Sequence, residues 1–210
     1  MNEPTIKAVI FDFDGTIADT FELVADIALK MNDSLKLFKK EEVSIEDFRN
    51  TASQDFLNRL DTPKYKLLYY LWKGRKTFGE QSGRVKVFPG VDSLLAELKK
   101  QNIKLAVVSS NSRSNVKKFL KANNLNYFDI VASPVLVFNK SHILKRVIGK
   151  LGVDPSEVLY VGDETRDIEA AHAAGVKAVS VTWGYHFRNL LVRFDPDYTI
   201  DAPYELLNII

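Results

Sequence analysis

The sequence predicts an α/β protein, a parallel-sheet core interrupted after its first strand by an all-helical insertion. Three observations carry that expectation. Short apolar runs over residues 9–11, 103–108, 158–162 and 178–182 alternate with amphipathic segments, and a strand buried on both faces reads as an unbroken hydrophobic run. Polar residues gather at the ends of those runs, where an open parallel sheet presents its ligand-binding groups. No strand-like run occurs between Asp19 and Phe78, where helical spacing takes over.

The first strand lies within residues 6–16, IKAVIFDFDGT. Val9, Ile10 and Phe11 lead into Asp12 and Asp14. Side chains two apart on a strand point the same way, so the two carboxylates converge if strand geometry persists that far. Gly15 then lets the chain turn sharply. At ~4 Å and an effective dielectric near 20 such a pair repels by about 4 kcal/mol, which a cation, a captured proton or solvent must offset. A hard divalent ion is one natural answer, Mg²⁺ above all where phosphate is present. Read alone, the same residues are also ordinary turn chemistry, because Asp-Gly is a common turn pair.

Asp19, with Glu22 three residues on, reads as a capping box for a helix with the apolar stripe Leu23, Val24, Ile27, Ala28, Met31, Leu35 and Phe38. Ser44 with Asp47 suits a shorter helix through Phe48, and residues 54–60 add a turn or two. Thr62-Pro63 starts a longer helix, with Leu67, Leu68, Leu71 and Trp72 as its buried stripe. Residues 78–90 carry three glycines and a proline and read as a linker. With residues 15–19 they give the insertion two strands of hinge.

Beyond Gly90, helices over 91–100, 113–123, 140–151 and 165–174 alternate with strands over 103–109, 128–132, 158–162 and 178–182. Gly152 and Gly175 close two of these helices. The alternation predicts right-handed parallel crossovers, and residues 198–210 read as a brief strand and a short terminal helix. The expected division is 1–16 with 89–210 for the sheet-bearing core and 17–88 for the helical insertion with its hinges.

Composition narrows the class. With 210 residues, 46% hydrophobic, 27% charged and a net charge of +2, the chain is an ordinary globular sequence whose charge alone implies neither nucleic acid nor membrane. The lack of cysteine excludes disulfides, thiol nucleophiles and thiolate metal sites. The start, MNEPTIKAV, shows no secretory signal pattern, and no apolar stretch approaches the ~18 residues of a membrane span. A soluble cytoplasmic protein is expected.

Three further strand ends carry chemistry. Ser109, Ser110 and Asn111 follow one strand at a helix start, as donors for an anion or, for Ser110 or Ser112, as helix caps. Lys140 opens a helix against its dipole, which calls for a negative partner unless the ammonium is simply solvated. Asp163 and Glu164 end another strand, with Asp167 four residues beyond Asp163, and acids there also suit a helix N-terminus. Four aspartates, a lysine and a hydroxyl donor from four strand ends are jointly satisfied by a divalent cation with a phosphoryl group.

Phe11-Asp12-Phe13-Asp14-Gly15-Thr16, Val107-Val108-Ser109, Lys140, and Val161-Gly162-Asp163 with Asp167 resemble, in order, the four motifs of the haloacid dehalogenase superfamily. The subgroup most similar is that of phosphoglycolate phosphatase and β-phosphoglucomutase, and the resemblance covers nearly the whole chain. It implies a Rossmann-like core with an inserted helical cap, and a Mg²⁺-dependent phosphatase acting on a small phosphate monoester. By the same resemblance Asp12 is the nucleophile that forms an aspartyl-phosphate, and Asp14 is the acid and then the base. Ser109, Ser110 and Lys140 hold the phosphoryl oxygens. Asp12, Asp163 and the backbone carbonyl of Asp14 bind the metal, supported by Asp167. Asp14 argues against the dehalogenase branch, which lacks this acid. Lys140 is followed by Ser141-His142 where many relatives have proline, a departure from the phosphoglycolate phosphatases. His142, His172 and His186 read as surface residues.

Within the insertion, residues 62–88 hold Lys64, Lys66, Lys73, Arg75, Lys76, Arg84 and Lys86 against Glu80 alone, with aromatics interleaved. This reads first as a solvated helix face with its aromatics in the core of the insertion, and otherwise as contacts for a polyanionic substrate or nucleotide. A small phosphorylated substrate is the expected partner, with no membrane and no nucleic acid. A phosphomutase and a non-catalytic binding protein on the same scaffold are the alternatives.

Overall fold

A computed structural model describes residues 5–35, 45–52, 55, 64–133 and 140–210. The chain runs β1 (Ala8–Phe11), β2 (Ala18–Asp19), α1 (Phe21–Leu35), α2 (Ile45–Asn50), α3 (Lys64–Gln81), β3 (Lys86–Val87), α4 (Val91–Lys100) and β4 (Lys104–Val108). It continues through α5 (Arg113–Ala122), β5 (Ile130–Ala132), α6 (Lys140–Leu151), β6 (Val158–Gly162), α7 (Thr165–Ala174), β7 (Lys177–Val181), α8 (Arg188–Leu191) and β8 (Tyr198–Ile200).

Six strands form one all-parallel sheet in the order β5-β4-β1-β6-β7-β8, the Rossmann-like core expected. After β1 the chain fills one side of the sheet through β4 and β5, then crosses to fill the other through β6, β7 and β8. The order therefore reverses at β1, and a crevice opens at the carboxyl ends of β4, β1 and β6. Strand alternation sorts the core into two layers. Val9, Phe11, Leu105, Val107 and Leu159 face one way, against Leu94, Leu95 and Leu98 of α4 and Val116, Phe119 and Leu120 of α5. Ala8, Ile10, Ala106, Val108 and Tyr160 face the other, against Leu144, Val147 and Ile148 of α6 and Ile168 and Ala171 of α7. Burying each large apolar side chain is worth about 1.5–3 kcal/mol, so β1, buried along its whole length and covered on both faces, is firmly anchored.

The four helices predicted over 91–174 start and stop within a residue of where their punctuation places them, whereas α8 is not predicted. Ser112 caps α5 by accepting from the Asn115 amide at 3.1 Å. Gly175 ends α7 at φ +79°, and Gly152 follows α6 at φ +65°, both in the left-handed region that glycine enters without strain.

Several expectations are corrected in and around the helical segment. Asp19 does not cap α1: it lies on β2, and Thr20 stands just before the helix, its carbonyl accepting from the Val24 amide at 2.9 Å. The two hinge strands are not plain linker, because β2 pairs antiparallel with β3, Ala18 opposite Val87 and Asp19 opposite Lys86. Residues 78–81 belong to α3, held there by Phe78, which is buried in the core. Within α1, Leu23, Ile27 and Met31 are buried as expected, whereas Ala28 is exposed. Trp72 is 59% and Tyr69 49% exposed, not part of a buried stripe. Position 74 of α3 faces Met31 of α1, and on a helix position 72 lies nearly opposite it. The stack of Lys76 over the Trp72 ring, at 6.0 Å, is consequently a surface contact. The expected cap at Ser44, the turn over 54–60 apart from residue 55, the start at Thr62-Pro63, and Phe38 lie outside the described residues. No described helix is long and apolar enough to cross a membrane.

Candidate active site

The four motif segments meet at the crevice. β1 ends at Phe11, so strand alternation stops before the two aspartates, and the chain coils through Phe13 and the left-handed Gly15 into β2. Asp12, 2% exposed, is fixed by its own amide, which donates to the Val161 carbonyl at 2.8 Å. Its Oδ2 accepts from Lys140 Nζ at 2.9 Å, while its Oδ1 is buried with no hydrogen-bond partner among the described residues. Lys140, 7% exposed at the first position of α6, also pairs with Asp167. The lysine set against its helix dipole thus has two carboxylate partners.

Asp163, at the end of β6, is fully buried. Thr16 Oγ1 donates to its Oδ1 at 2.7 Å and the Tyr185 amide to its Oδ2 at 2.8 Å. Asp167, in the first turn of α7, accepts from Tyr160 OH at 3.2 Å and from the Glu164 amide at 3.0 Å. A carboxylate oxygen from each of Asp12, Asp163 and Asp167 lies within 4.8 Å of the others. This crowding is built into the backbone. A Cβ on Gly15 would lie 2.0 Å from Asp163 Oδ2, one on Gly184 2.3 Å from Asp163 Cβ, and one on Gly162 2.5 Å from Asp167. All three residues offer hard oxygens and Asp12 keeps one buried oxygen without a hydrogen bond, so the cluster fits a hard divalent cation.

The Asp14 carboxylate lies apart from that cluster. Asn111 Nδ2 donates to both its oxygens at 3.3 Å, and Ser109 Oγ stands 3.5 Å from Oδ2. Ser109 is buried and accepts from the Asn111 amide at 2.9 Å. Ser110 is half-buried, with its carbonyl turned to the Arg75 guanidinium of α3.

Burial raises the carboxyl groups. It drives Asp12 up to about 7 although the Lys140 ammonium pulls it down, and it drives Asp14 up to about 6 against hydrogen bonds from Asn111 and Thr20. Asp163 is held well above the ordinary range by burial and then by Glu164, Asp167 and Asp12. For Lys140 burial acts downward, but Asp12 and Asp167 outweigh it and hold the ammonium protonated. The result is a buried carboxylate beside a fixed cation, a neighbouring carboxyl whose proton affinity is raised toward neutrality, and an oxygen cluster fit for a metal. Such a set has the chemistry that phosphoryl transfer needs.

Several residues at the site escaped sequence reasoning. His186 is fully buried rather than on the surface: its Nδ1 accepts from the Thr165 amide at 3.1 Å and so satisfies one of the orphan donors of α7. His142 and His172 are exposed as expected. Arg166 pairs with Glu164 beside the site. Arg49 of α2 donates to the Gly184 carbonyl at 3.0 Å and lies between the rings of Phe21 and Phe187, at 4.9 and 4.3 Å. Asn111 was legible as a donor next to Ser109, but no spacing rule singles out the other three.

The parallel core, its helical cap and this constellation define a phosphoric monoester hydrolase. The chain belongs to the haloacid dehalogenase-like hydrolases, whose family model matches residues 9–181, and within them to the phosphoglycolate-phosphatase-like subgroup. It is similar to a phosphoglycolate phosphatase of Synechococcus elongatus, 34% identical over 206 residues that cover 98% of this chain and 97% of that one. It is also 29% identical over 214 residues to the pyrophosphatase PpaX of Bacillus mycoides, covering 98% and 97% of the two chains. A predicted phosphatase from Clostridium acetobutylicum shares the fold, with a TM-score of 0.85 at 19% identity over 98% of each chain.

Proposed function

We propose that the protein is a Mg²⁺-dependent phosphatase that hydrolyses a small, phosphoglycolate-like phosphate monoester through an aspartyl-phosphate on Asp12. The observation that carries the reading is the buried Asp12, with one oxygen on Lys140 and the other bare, next to an Asp14 whose carboxyl titrates near 6. In the first step an Asp12 oxygen attacks phosphorus and the bond from phosphorus to the ester oxygen breaks. Asp14 gives its proton to that departing oxygen. In the second step Asp14 takes a proton from water, the water oxygen attacks phosphorus, and the acyl-phosphate bond breaks to release inorganic phosphate and restore Asp12.

Ser109 and Lys140 hold the phosphoryl oxygens as charge develops on them, with Ser110 at the rim. Asp12, Asp163 and the Asp14 carbonyl would hold Mg²⁺, supported by Asp167, and the ion would neutralise phosphoryl charge. The same reading takes residues 17–88 as the cap and 1–16 with 89–210 as the core. The β2–β3 pair, where the insertion leaves and rejoins the sheet, supports that division. The extended match to the Synechococcus phosphatase supports a phosphoglycolate-like substrate.

The test is inorganic phosphate release from a panel of small esters and pyrophosphate, with Mg²⁺ and with chelator, by wild type and Asp12→Asn. Release that depends on both the metal and Asp12 is expected. Near-wild-type turnover by Asp12→Asn would refute the covalent route, and label passing to a bisphosphate instead of free phosphate would replace the phosphatase by a mutase.

A further inference from the structure

Resting on that reading of the site, we propose that Arg75 determines specificity, admitting esters whose alcohol carries a carboxylate one carbon from the ester oxygen. Arg75 sits on α3 and its guanidinium reaches across to the β4–α5 loop, where it donates to the Ser110 carbonyl at 2.5 Å. Its backbone is tied to the same region, because Asn115 Nδ2 donates to the Arg75 carbonyl at 2.8 Å. The guanidinium is therefore held next to the loop that carries Ser109, Ser110 and Asn111, the residues that surround Asp14.

Arg75 and Arg49 are both half-buried on the helical insertion and bonded to a neutral carbonyl, but Arg49 reaches Gly184 whereas Arg75 reaches the loop that surrounds Asp14. Lys140 is matched by Asp12 and Asp167, and Arg166 by Glu164. Among the described residues Arg75 bonds to one neutral carbonyl and has no carboxylate within ion-pair distance. Burial lowers its hold on the proton, and the Asp14 charge opposes this only in part. A half-buried guanidinium with spare N–H donors is costly to leave unmatched, and its planar fork suits a carboxylate.

The placement of the substrate follows from the chemistry. The ester oxygen receives its proton from Asp14, so the carbon attached to that oxygen lies beside Asp14 and its substituent extends toward the rim, where Arg75 arrives from α3. Lys140 and Arg166, the cations of the floor, are already paired with Asp12, Asp167 and Glu164, so neither is available to a second anion there. An anionic leaving group needs a cation on the Asp14 side, and Arg75 supplies it.

The test compares phosphoglycolate with 2-hydroxyethyl phosphate, which replaces the carboxylate by a neutral group of similar size, in wild type, Arg75→Met and Arg75→Lys. In Arg75→Met, kcat/KM for phosphoglycolate should fall about 30-fold further than for the neutral ester, mostly through KM, as expected for a lost charge-assisted contact, and Arg75→Lys should recover part of it. Equal losses on the two esters would make Arg75 only a fastening of α3 to the core and overturn the proposal. Calorimetric binding of the same two esters to Asp12→Asn, with and without Arg75→Met, separates this from the hydrolase reading. A preference for phosphoglycolate that vanishes with Arg75→Met supports the assignment even if neither ester is turned over. No preference, or one that survives the substitution, overturns it.

Discussion

Asp12→Asn should make the metal-free protein more stable while removing its activity. Asp12 titrates at about 7 in the fold against 3.8 for the free side chain, so the folded protein binds the extra proton in that window. Stability contributed by the protonated carboxyl is therefore complete below 3.8 and drains away as pH rises toward 7. Asparagine has nearly the shape of the protonated acid and does not titrate, and Lys140 keeps Asp167 as its partner. The variant should match wild type near pH 4 and exceed it by a margin that grows through pH 5 to a few kcal/mol (about 4 at most) at pH 8, an upper bound because relaxation around the site reduces it. Urea unfolding of both proteins in chelator at the three pH values measures the difference, and phosphate release shows the accompanying loss of turnover. A variant no more stable than wild type at pH 8, or a gain that does not grow with pH, would refute the electrostatic account of Asp12.

Mg²⁺ at a hundred times its Kd should stabilise the wild type by about 2.7 kcal/mol, raising Tm by roughly 5–10 °C, and the shift should shrink at pH 5.5, where protons compete for the raised carboxyl groups. A pH-independent shift in calorimetric scans would count against binding at this cluster. Gly79→Ala should slow the enzyme without unfolding it. A Cβ there would meet Asn115 Oδ1 at 2.6 Å, although alanine favours the helix by up to about 1 kcal/mol. Steady-state kinetics should show kcat/KM reduced about tenfold with Tm unchanged or higher, and wild-type kinetics would contradict the close docking of α3. His186 is held below its ordinary 6.5, chiefly by burial, so the unfolded chain takes up a proton first as pH falls and stability drops below about 6.5. His186→Asn keeps an acceptor for the Thr165 amide without titrating and should flatten that acid limb in unfolding curves. An unaltered limb would assign it to other groups.

Where signals are local, the chain could be read directly. The limits of α6, β6 and α7 follow from apolar runs bounded by Gly152, Gly162 and Gly175, and Lys140 betrayed buried partners by opening a helix against its dipole. The motif aspartates were legible because strand ends and turns are local features. What could not be read depends on contacts made far along the chain. The Arg49 bond to Gly184 spans 135 residues, and the burial of His186 depends on α7 needing an acceptor for Thr165. The β2–β3 pair was hidden because two residues per strand leave no periodicity to detect. Trp72 misled because an aromatic at helical spacing signals a buried face only when a partner covers that side of the helix.

Asn115 ties the helical insertion to the residue that holds Asp14. One amide nitrogen, Nδ2, reaches both the Arg75 carbonyl on α3, at 2.8 Å, and Asn111 Oδ1, at 2.9 Å, and Asn111 in turn holds the Asp14 carboxylate. The helix on the insertion and the Asp14 carboxylate thus share one chain of carboxamides, so a change in the seating of α3 would pass to the hydrogen bonds on Asp14 with no ionised group in between.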